Sequence, residues 1–364
     1  MKQLSRRRQA WTITRIELGR AFISRRAFWV YALALFPSLI FMVYHAQVKF
    51  RTMSLSSAAM ITPAQLDAIH AGETADAIVE RLGKAVNDFE WKTPRRDREK
   101  EEQVLIAYRR QTYFDGRREA RLFYEDGTLV SKTTNLLKDF EEDRRIFAGV
   151  FQFFYLRLAI FFGCLGIFMN LFRGEMLDRT LHYWFLAPAR RDVLLAGKYC
   201  AGLIASTVIF SVGALLCFGL MVWPHSSPEV QAFWRSAGMW HVFWYAAAAA
   251  FGCVGYGSVF LAAGLVLRNP VIPAAILLSW ESINGFLPEL LQKASILYYL
   301  RSLCPVPAPM MGADAPALIQ LLLAPASPAS RSGAVFGILA ITAAVLWLAR
   351  RAIMRMQITY GGES

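Results

Sequence analysis

Charge is scarce in this 364-residue chain: 18% of its residues are Asp, Glu, Lys or Arg, whereas 55% are hydrophobic. That balance excludes an ordinary soluble protein. Cysteine is too sparse for a disulfide framework. Of the five, Cys164, Cys200, Cys217 and Cys253 lie inside apolar stretches and Cys304 alone lies outside them, so cysteine says nothing about redox compartment. Common catalytic motifs are missing as well. There is no HExxH pair, and His45, His70, His182, His225 and His241 fall at no metal-ligand spacing, so no metal site is expected. The GYGS at 255–258 lacks the glycine after serine that a nucleophile elbow requires. No GxxxxGK[ST] loop occurs, so ATP-driven work would need a partner chain.

What the chain has is long apolar runs, and a helix needs roughly 20 such residues to cross a ~30 Å hydrocarbon layer. Six spans are predicted, at 27–45, 147–172, 199–223, 240–267, 271–291 and 333–349. The first 26 residues hold eight basic groups (Lys2, Arg6, Arg7, Arg8, Arg15, Arg20, Arg25 and Arg26) against Glu17 alone. By the positive-inside rule this marks a cytoplasmic N-terminus, and lipid phosphate rather than nucleic acid is the expected partner of that charge. The apolar run that follows is long, contains Trp29 and Pro37 and lacks a small-residue cleavage pattern, unlike a cleaved signal peptide. Arg173, Arg179, Arg190, Arg191 and Lys198 after the second span, Arg268 after the fourth, and Arg350, Arg351 and Arg355 after the sixth all fall on the same side. Both termini are therefore expected in the cytoplasm, in a bacterial plasma membrane.

Segment 46–146 is expected to be an extracytoplasmic α+β domain. Residues 47–145 carry eighteen basic and eighteen acidic groups, so the net charge of +13 lies elsewhere. Thr62-Pro63 opens a predicted helix over 62–90 with apolar positions Leu66, Ile69, Ile78, Leu82, Val86 and Phe89. Asp126-Gly127, between ARLFY and TLV, signals a hairpin. The charge run at 95–102 reads as a solvated helix face. Segment 292–332 is proline-rich, and its apolar piece 317–324 is too short to cross, so it is expected to lie re-entrant or in the interface. Met310 and Met311 near Cys304 fit gap-filling better than a soft-metal site.

Within the spans, Arg157 and Glu281 each sit near the middle, where a charge costs roughly 2.5–3.5 kcal/mol on insertion scales. The expectation is an intramembrane pair; the alternative is that each snorkels independently. Ala249, Cys253 and Gly257 recur at four-residue spacing and allow close helix packing, either within the chain or at a dimer seam.

The most informative stretch is RGEMLDRTLHYWFLAPARRDVLLAGK, 173–198. Glu175 and Asp178 are placed in the first turn of a short helix, which ends before Pro188. The load of Met176, Leu177, Leu181, Tyr183, Trp184 and Phe185 is heavy for a loop facing water. These aromatics either sit at the headgroup level or anchor a cytoplasmic partner, with Arg190 and Arg191 at the rim.

This loop, with its opening glutamate, Arg179-Thr180-Leu181, a proline, a basic pair and Gly197-Lys198 at the head of the next span, resembles the ABC type-2 exporter permease family. The likeness extends to the six-span plan, the basic N-terminal segment and the re-entrant region before the last span. It implies an all-α polytopic membrane protein of six transmembrane helices; the likeness leaves out the outer domain, which varies in such families and is read from its own residues as an α+β extracytoplasmic insertion between helices 1 and 2. Its parts would be an interfacial connecting helix (1–26), the first span (27–45), the insertion (46–146), spans two to six with the coupling loop 173–198 and the re-entrant region 292–332 (147–349), and a cytoplasmic tail (350–364).

The resemblance also implies an exporter permease with no catalytic residues and no cofactor of its own. ATP and Mg would sit on separate ABC ATPase subunits, and a second permease copy or paralogue would complete the pore. The ATPase-coupling contacts would be Glu175, Met176, Asp178, Arg179, Leu181, Tyr183, Trp184, Phe185, Arg190 and Arg191. Within 9–26, Trp11, Leu18 and Phe22 share one helical face. Peptide, lipid, ion, drug and polysaccharide cargo all suit such a bundle. An ion-gradient transporter, for which Glu281 is the strong candidate acid, and an intramembrane enzyme are the rival readings.

Overall fold

The computed structural model describes residues 6–23, 25–56, 60–96, 103–177, 184, 186, 190–225, 228–267, 269, 271–284, 287–307 and 327–355. The chain forms two compact units, Met1–Phe41 with Arg144–Ser364, and Met42–Asp143. It opens with helices α1 (Arg6–Ile23) and α2 (Arg25–Ser56), and the division between units falls within α2.

The second unit is α+β. The Thr62 hydroxyl accepts the Gln65 backbone N–H at 3.3 Å while the Gln65 side-chain Oε1 accepts the Thr62 N–H at 2.9 Å, a capping box that starts α3 (Pro63–Asp67) with proline at its first position. The expected helix over 62–90 does not continue. Gly72 and Gly83, with φ of 91° and 84°, lie on either side of a second short helix, α4 (Ala75–Leu82), and Phe89 lies on a strand. Strands β1 (Asn87–Arg96), β2 (Gln103–Phe114), β3 (Arg118–Glu125) and β4 (Thr128–Leu136) form an antiparallel meander in chain order. Asp126 and Gly127 make the β3–β4 turn with φ of 47° and 81°, the left-handed pair that a two-residue hairpin needs. Arg95 and Arg96 finish β1 rather than a helix, and 97–102 lie outside the described residues. Tyr113, Ala120, Leu122, Tyr124 and Leu129 form a core with Leu66, Ile78 and Leu82 of the two helices and Ile69 between them. On the other face Trp91, Tyr108 and Phe123 stack across three strands.

The boundary between units also falls within α5 (Phe140–Val150); in the first unit this helix leads into a π-helix (Phe151–Ala159), α6 (Ile160–Phe168) and α7 (Asn170–Leu177). Then come α8 (Arg191–Val222), α9 (Pro228–Phe233), a second π-helix (Trp234–Gly238), α10 (Met239–Val266), α11 (Val271–Ile283), α12 (Glu289–Gln292), α13 (Ile296–Leu303) and α14 (Arg331–Arg355). Among the described residues five helical segments are long and apolar enough to cross a membrane: Ala27–Ser56, Phe140–Met176, Arg191–Val222, Pro228–Val266 and Arg331–Arg355.

The fifth expected span, 271–291, differs. Its helix α11 has 13 residues, about 20 Å at 1.5 Å per residue, and the chain turns at Asn284 and Pro288 before the short helices α12 and α13. Of the re-entrant region, 292–307 and 327–332 are described and 308–326 are not, so the apolar piece 317–324 and Met310 and Met311 lie outside the described residues. The four-residue ladder in α10 packs on its own chain. Ala249 and Cys253 are fully buried, and a Cβ on Gly257 would stand 2.5 Å from the Phe168 ring of α6.

Candidate functional site

The α1 helix buries Ile13, Thr14 and Glu17 against its own chain, whereas Trp11 is 64% exposed. Small size makes the contact possible: a Cβ on Gly197 of α8 would lie 2.9 Å from Ile13, and the Thr14 hydroxyl reaches the Gly197 carbonyl oxygen at 3.0 Å. This close approach sets Glu17 beside the next residue of α8, Lys198.

Lys198 is fully buried, and its ammonium donates to Glu17 Oε1 at 2.8 Å and to the Leu171 carbonyl at 2.8 Å. Glu175 Oε1 lies 2.8 Å from the same nitrogen. The guanidinium of Arg20, one turn beyond Glu17, stands 3.7 Å from Glu17 and 3.6 Å from Glu175. Trp184 Nε1 donates to Glu175 Oε1 at 2.8 Å, and the Lys198 nitrogen is 5.3 Å from the Trp184 ring centre and 5.4 Å from that of Phe172. Two cations and two carboxylates thus neutralise one another. An isolated buried ammonium costs several kcal/mol, which the paired carboxylates and the Leu171 carbonyl offset. The result ties α1, the end of α7, the head of α8 and Trp184 into one assembly.

Two of the expected docking residues, Glu175 and Trp184, are therefore engaged within the chain. Glu175 is not in the first turn of a helix; it lies near the end of α7 and is buried against Lys198. Met176 is half-buried. Arg190 precedes α8 and pairs with Asp192 at 3.2 Å. Arg191 donates to the Ile353 carbonyl at 3.2 Å, joining α8 to the end of α14. Leu186 stays on the surface, 79% exposed. Asp178, Arg179, Leu181, Tyr183 and Phe185 lie outside the described residues.

Arg157 and Glu281 form no ion pair among the described residues. Glu281 is buried at the end of α11, and its carboxylate accepts the Ser295 hydroxyl and the N–H groups of Ile296 at 3.2 Å and Leu297 at 3.4 Å. It caps α13, where unsatisfied N–H groups and the helix dipole favour negative charge, and that is why it does not turn to Arg157.

Glu17 and Lys198 were not singled out as site residues from sequence. The available signal was a lone acid in a strongly basic helix, and a lysine at the threshold of an apolar span.

Multiple apolar crossings and a charge-locked corner, with no phosphate loop in the sequence, define the class: a multi-pass membrane protein. Residues 11–285 match the family described as ABC-2 family transporter protein, and the chain belongs to that family. It is thus a membrane permease, whose family implies ABC transporter partners such as ATPase subunits. No curated protein and no solved structure matches the chain.

Proposed function

We propose that this chain is the membrane half of an ATP-driven exporter, moving cargo out of the cytoplasm with work received at 173–198 from separate ATPase subunits. A second permease subunit completes the pathway, and both termini are cytoplasmic. The observation that carries this reading is the assembly around Lys198. A push on the loop after α7 reaches Trp184 and Glu175, passes through Lys198 into α8, and through Glu17 into α1. The loop therefore moves the second and third spans together instead of bending alone, which shifts the balance between inward- and outward-facing arrangements. Docking itself falls to exposed side chains such as Leu186, while Glu175 and Trp184 act as internal positioning residues.

The gradient-driven alternative loses its candidate acid, because Glu281 is engaged in capping α13. The test is purification of the full-length chain from its native membrane under mild detergent. Recovery of an ATP-hydrolysing subunit in fixed stoichiometry supports the proposal. Solute transport by the chain alone in sealed vesicles, without ATP, overturns it.

A further inference from the structure

Helices α10 and α14 pack along one another, and at their starting ends one arginine meets two tryptophans. Trp240 and Trp244 stand about one turn apart on α10, with ring centres 5.5 Å apart in an edge-to-face pair, and Phe243 stacks on Trp240 at 5.9 Å. Arg331, the first residue of α14, brings its guanidinium carbon to 5.1 Å from the Trp244 ring centre and 5.5 Å from that of Trp240. At the other end of α14, the Ile353 carbonyl accepts from Arg191. The arginine–tryptophan group therefore lies at the membrane face opposite loop 173–198, which is the outer face in the orientation proposed above.

Tryptophan at the headgroup level is general in membrane proteins. A guanidinium held over two such rings is a more specific arrangement. Arg331 is exposed, and among the described residues it makes no ion pair and donates no side-chain hydrogen bond. Aromatic rings engage the flat face of a guanidinium, whose N–H donors lie at its edge and match the oxygens of a phosphate. The surroundings are apolar and uncovered: Phe243 is exposed on α10, as are Phe336 and Leu339 further along α14. In a chain that crosses a membrane, lipid tails meet such a face. A headgroup with its own cation, such as choline, would seek the same aromatic faces, and Arg331 already occupies them.

We infer that Arg331, Trp240 and Trp244 form a binding site for an anionic glycerophospholipid of the phosphatidylglycerol type. Arg331 holds the phosphate, the two tryptophans fix the guanidinium at headgroup level, and Phe336 and Leu339 line the path of an acyl chain. Charge complementarity selects the headgroup, and the exposed apolar face selects a lipid over a soluble anion.

The experiment is native mass spectrometry of the full-length chain, purified in non-ionic detergent, stripped of lipid and supplied with equal amounts of dioleoyl phosphatidylglycerol and dioleoyl phosphatidylcholine. The wild-type chain is expected to retain more phosphatidylglycerol. One basic residue at a lipid surface accounts for about a fivefold preference, so the retained ratio is expected to fall by about that factor in Arg331→Gln. Trp240→Leu is expected to lower it in part. Arg235→Gln, which removes an exposed arginine from the neighbouring π-helix, is expected to leave it nearly unchanged. Arg331 is exposed at the start of its helix, so Arg331→Gln leaves packing intact and is decisive if the Trp240 variant fails to fold. Equal retention of the two lipids, an unchanged ratio in Arg331→Gln, or an equal fall in Arg235→Gln overturns the inference. So does a wild-type chain that retains neither lipid and forms a dimer that Arg331→Gln breaks, an outcome that gives the patch to a second copy. Because no ATPase takes part, failure here leaves the exporter reading standing, and loss of the exporter reading leaves the lipid site standing.

Discussion

Glu17 and Lys198, 181 positions apart in the chain, meet at 2.8 Å in a place where neither reaches bulk water. The lysine could not be buried without its carboxylates, and the carboxylates could not be buried without the lysine. Lys198→Ala leaves two facing acids and is expected to cost about 3–5 kcal/mol of stability, as when one partner of a buried pair is removed. Replacing all three charges by neutral groups of similar size (Glu17→Gln, Glu175→Gln and Lys198→Met) is expected to recover most of that loss. Thermal unfolding of the purified chain reads both; equal melting of Lys198→Ala and wild type would contradict the buried pairing.

Charge reversal at Glu175 is a destabilising change, not a clean probe of docking. Glu175→Lys sets a third cation against Lys198 and Arg20, and its melting temperature is expected to fall well below wild type. Trp184→Phe keeps an aromatic ring but removes the Nε1 donor to Glu175, a hydrogen bond to a charged acceptor with a cost of about 1–2 kcal/mol. It is expected to leave the chain folded and ATPase bound while slowing ATP hydrolysis in the complex. Unchanged hydrolysis would remove Trp184 from the coupling route.

The small-residue face of α10 is a packing surface of this chain. Gly257→Ala puts a methyl group 2.5 Å from the Phe168 ring, and overpacking of this kind costs about 1–3 kcal/mol. Adding Phe168→Leu is expected to restore part of the loss. Gly219→Ala, with no heavy atom within 4 Å of the new carbon, serves as the neutral comparison. Melting temperatures of the three variants check the order; a stable Gly257→Ala protein would show that the ring moves aside freely.

Acid is expected to loosen the Met42–Asp143 unit. Hydrogen bonding from the Arg109 guanidinium, 2.8 Å from Asp88 Oδ1, holds the Asp88 carboxyl below its ordinary value of 3.8. Asp115 is also lowered: burial alone would raise it, but N–H bonds from Arg118 and Arg117 outweigh that effect. A carboxyl depressed on folding adds stability that is fully present above its unfolded value and is lost as pH falls through the folded one. The unit is therefore expected to gain pulse-labelled hydrogen exchange as pH drops below about 4. Asp88→Asn is expected to flatten part of this dependence, and an identical pH profile in that variant would refute the assignment.

The membrane class was legible because an apolar run of roughly 20 residues has few other uses in a folded chain, and the Asp126-Gly127 turn because two successive positive φ values leave few residue choices. The helix over 62–90 was misjudged because apolar spacing carries no sign of backbone handedness, which Gly72 and Gly83 impose. The fifth span was overextended because a hydropathy pattern does not show that Glu281 would cap α13. The inward turn of Glu175 depended on Lys198 and Glu17 arriving from distant parts of the chain. No local pattern encodes such a meeting, and a loop rich in aromatics reads the same whether they face a partner or a buried lysine.

The most direct measurement places a cysteine at Leu186, exposed in the chain alone, in a Cys200→Ser background, and compares its rate of thiol modification with and without the ATPase subunits bound. The account predicts strong protection in the complex, because that surface receives the ATPase. Equal modification rates in the free chain and the complex would contradict the claim that work enters through 173–198.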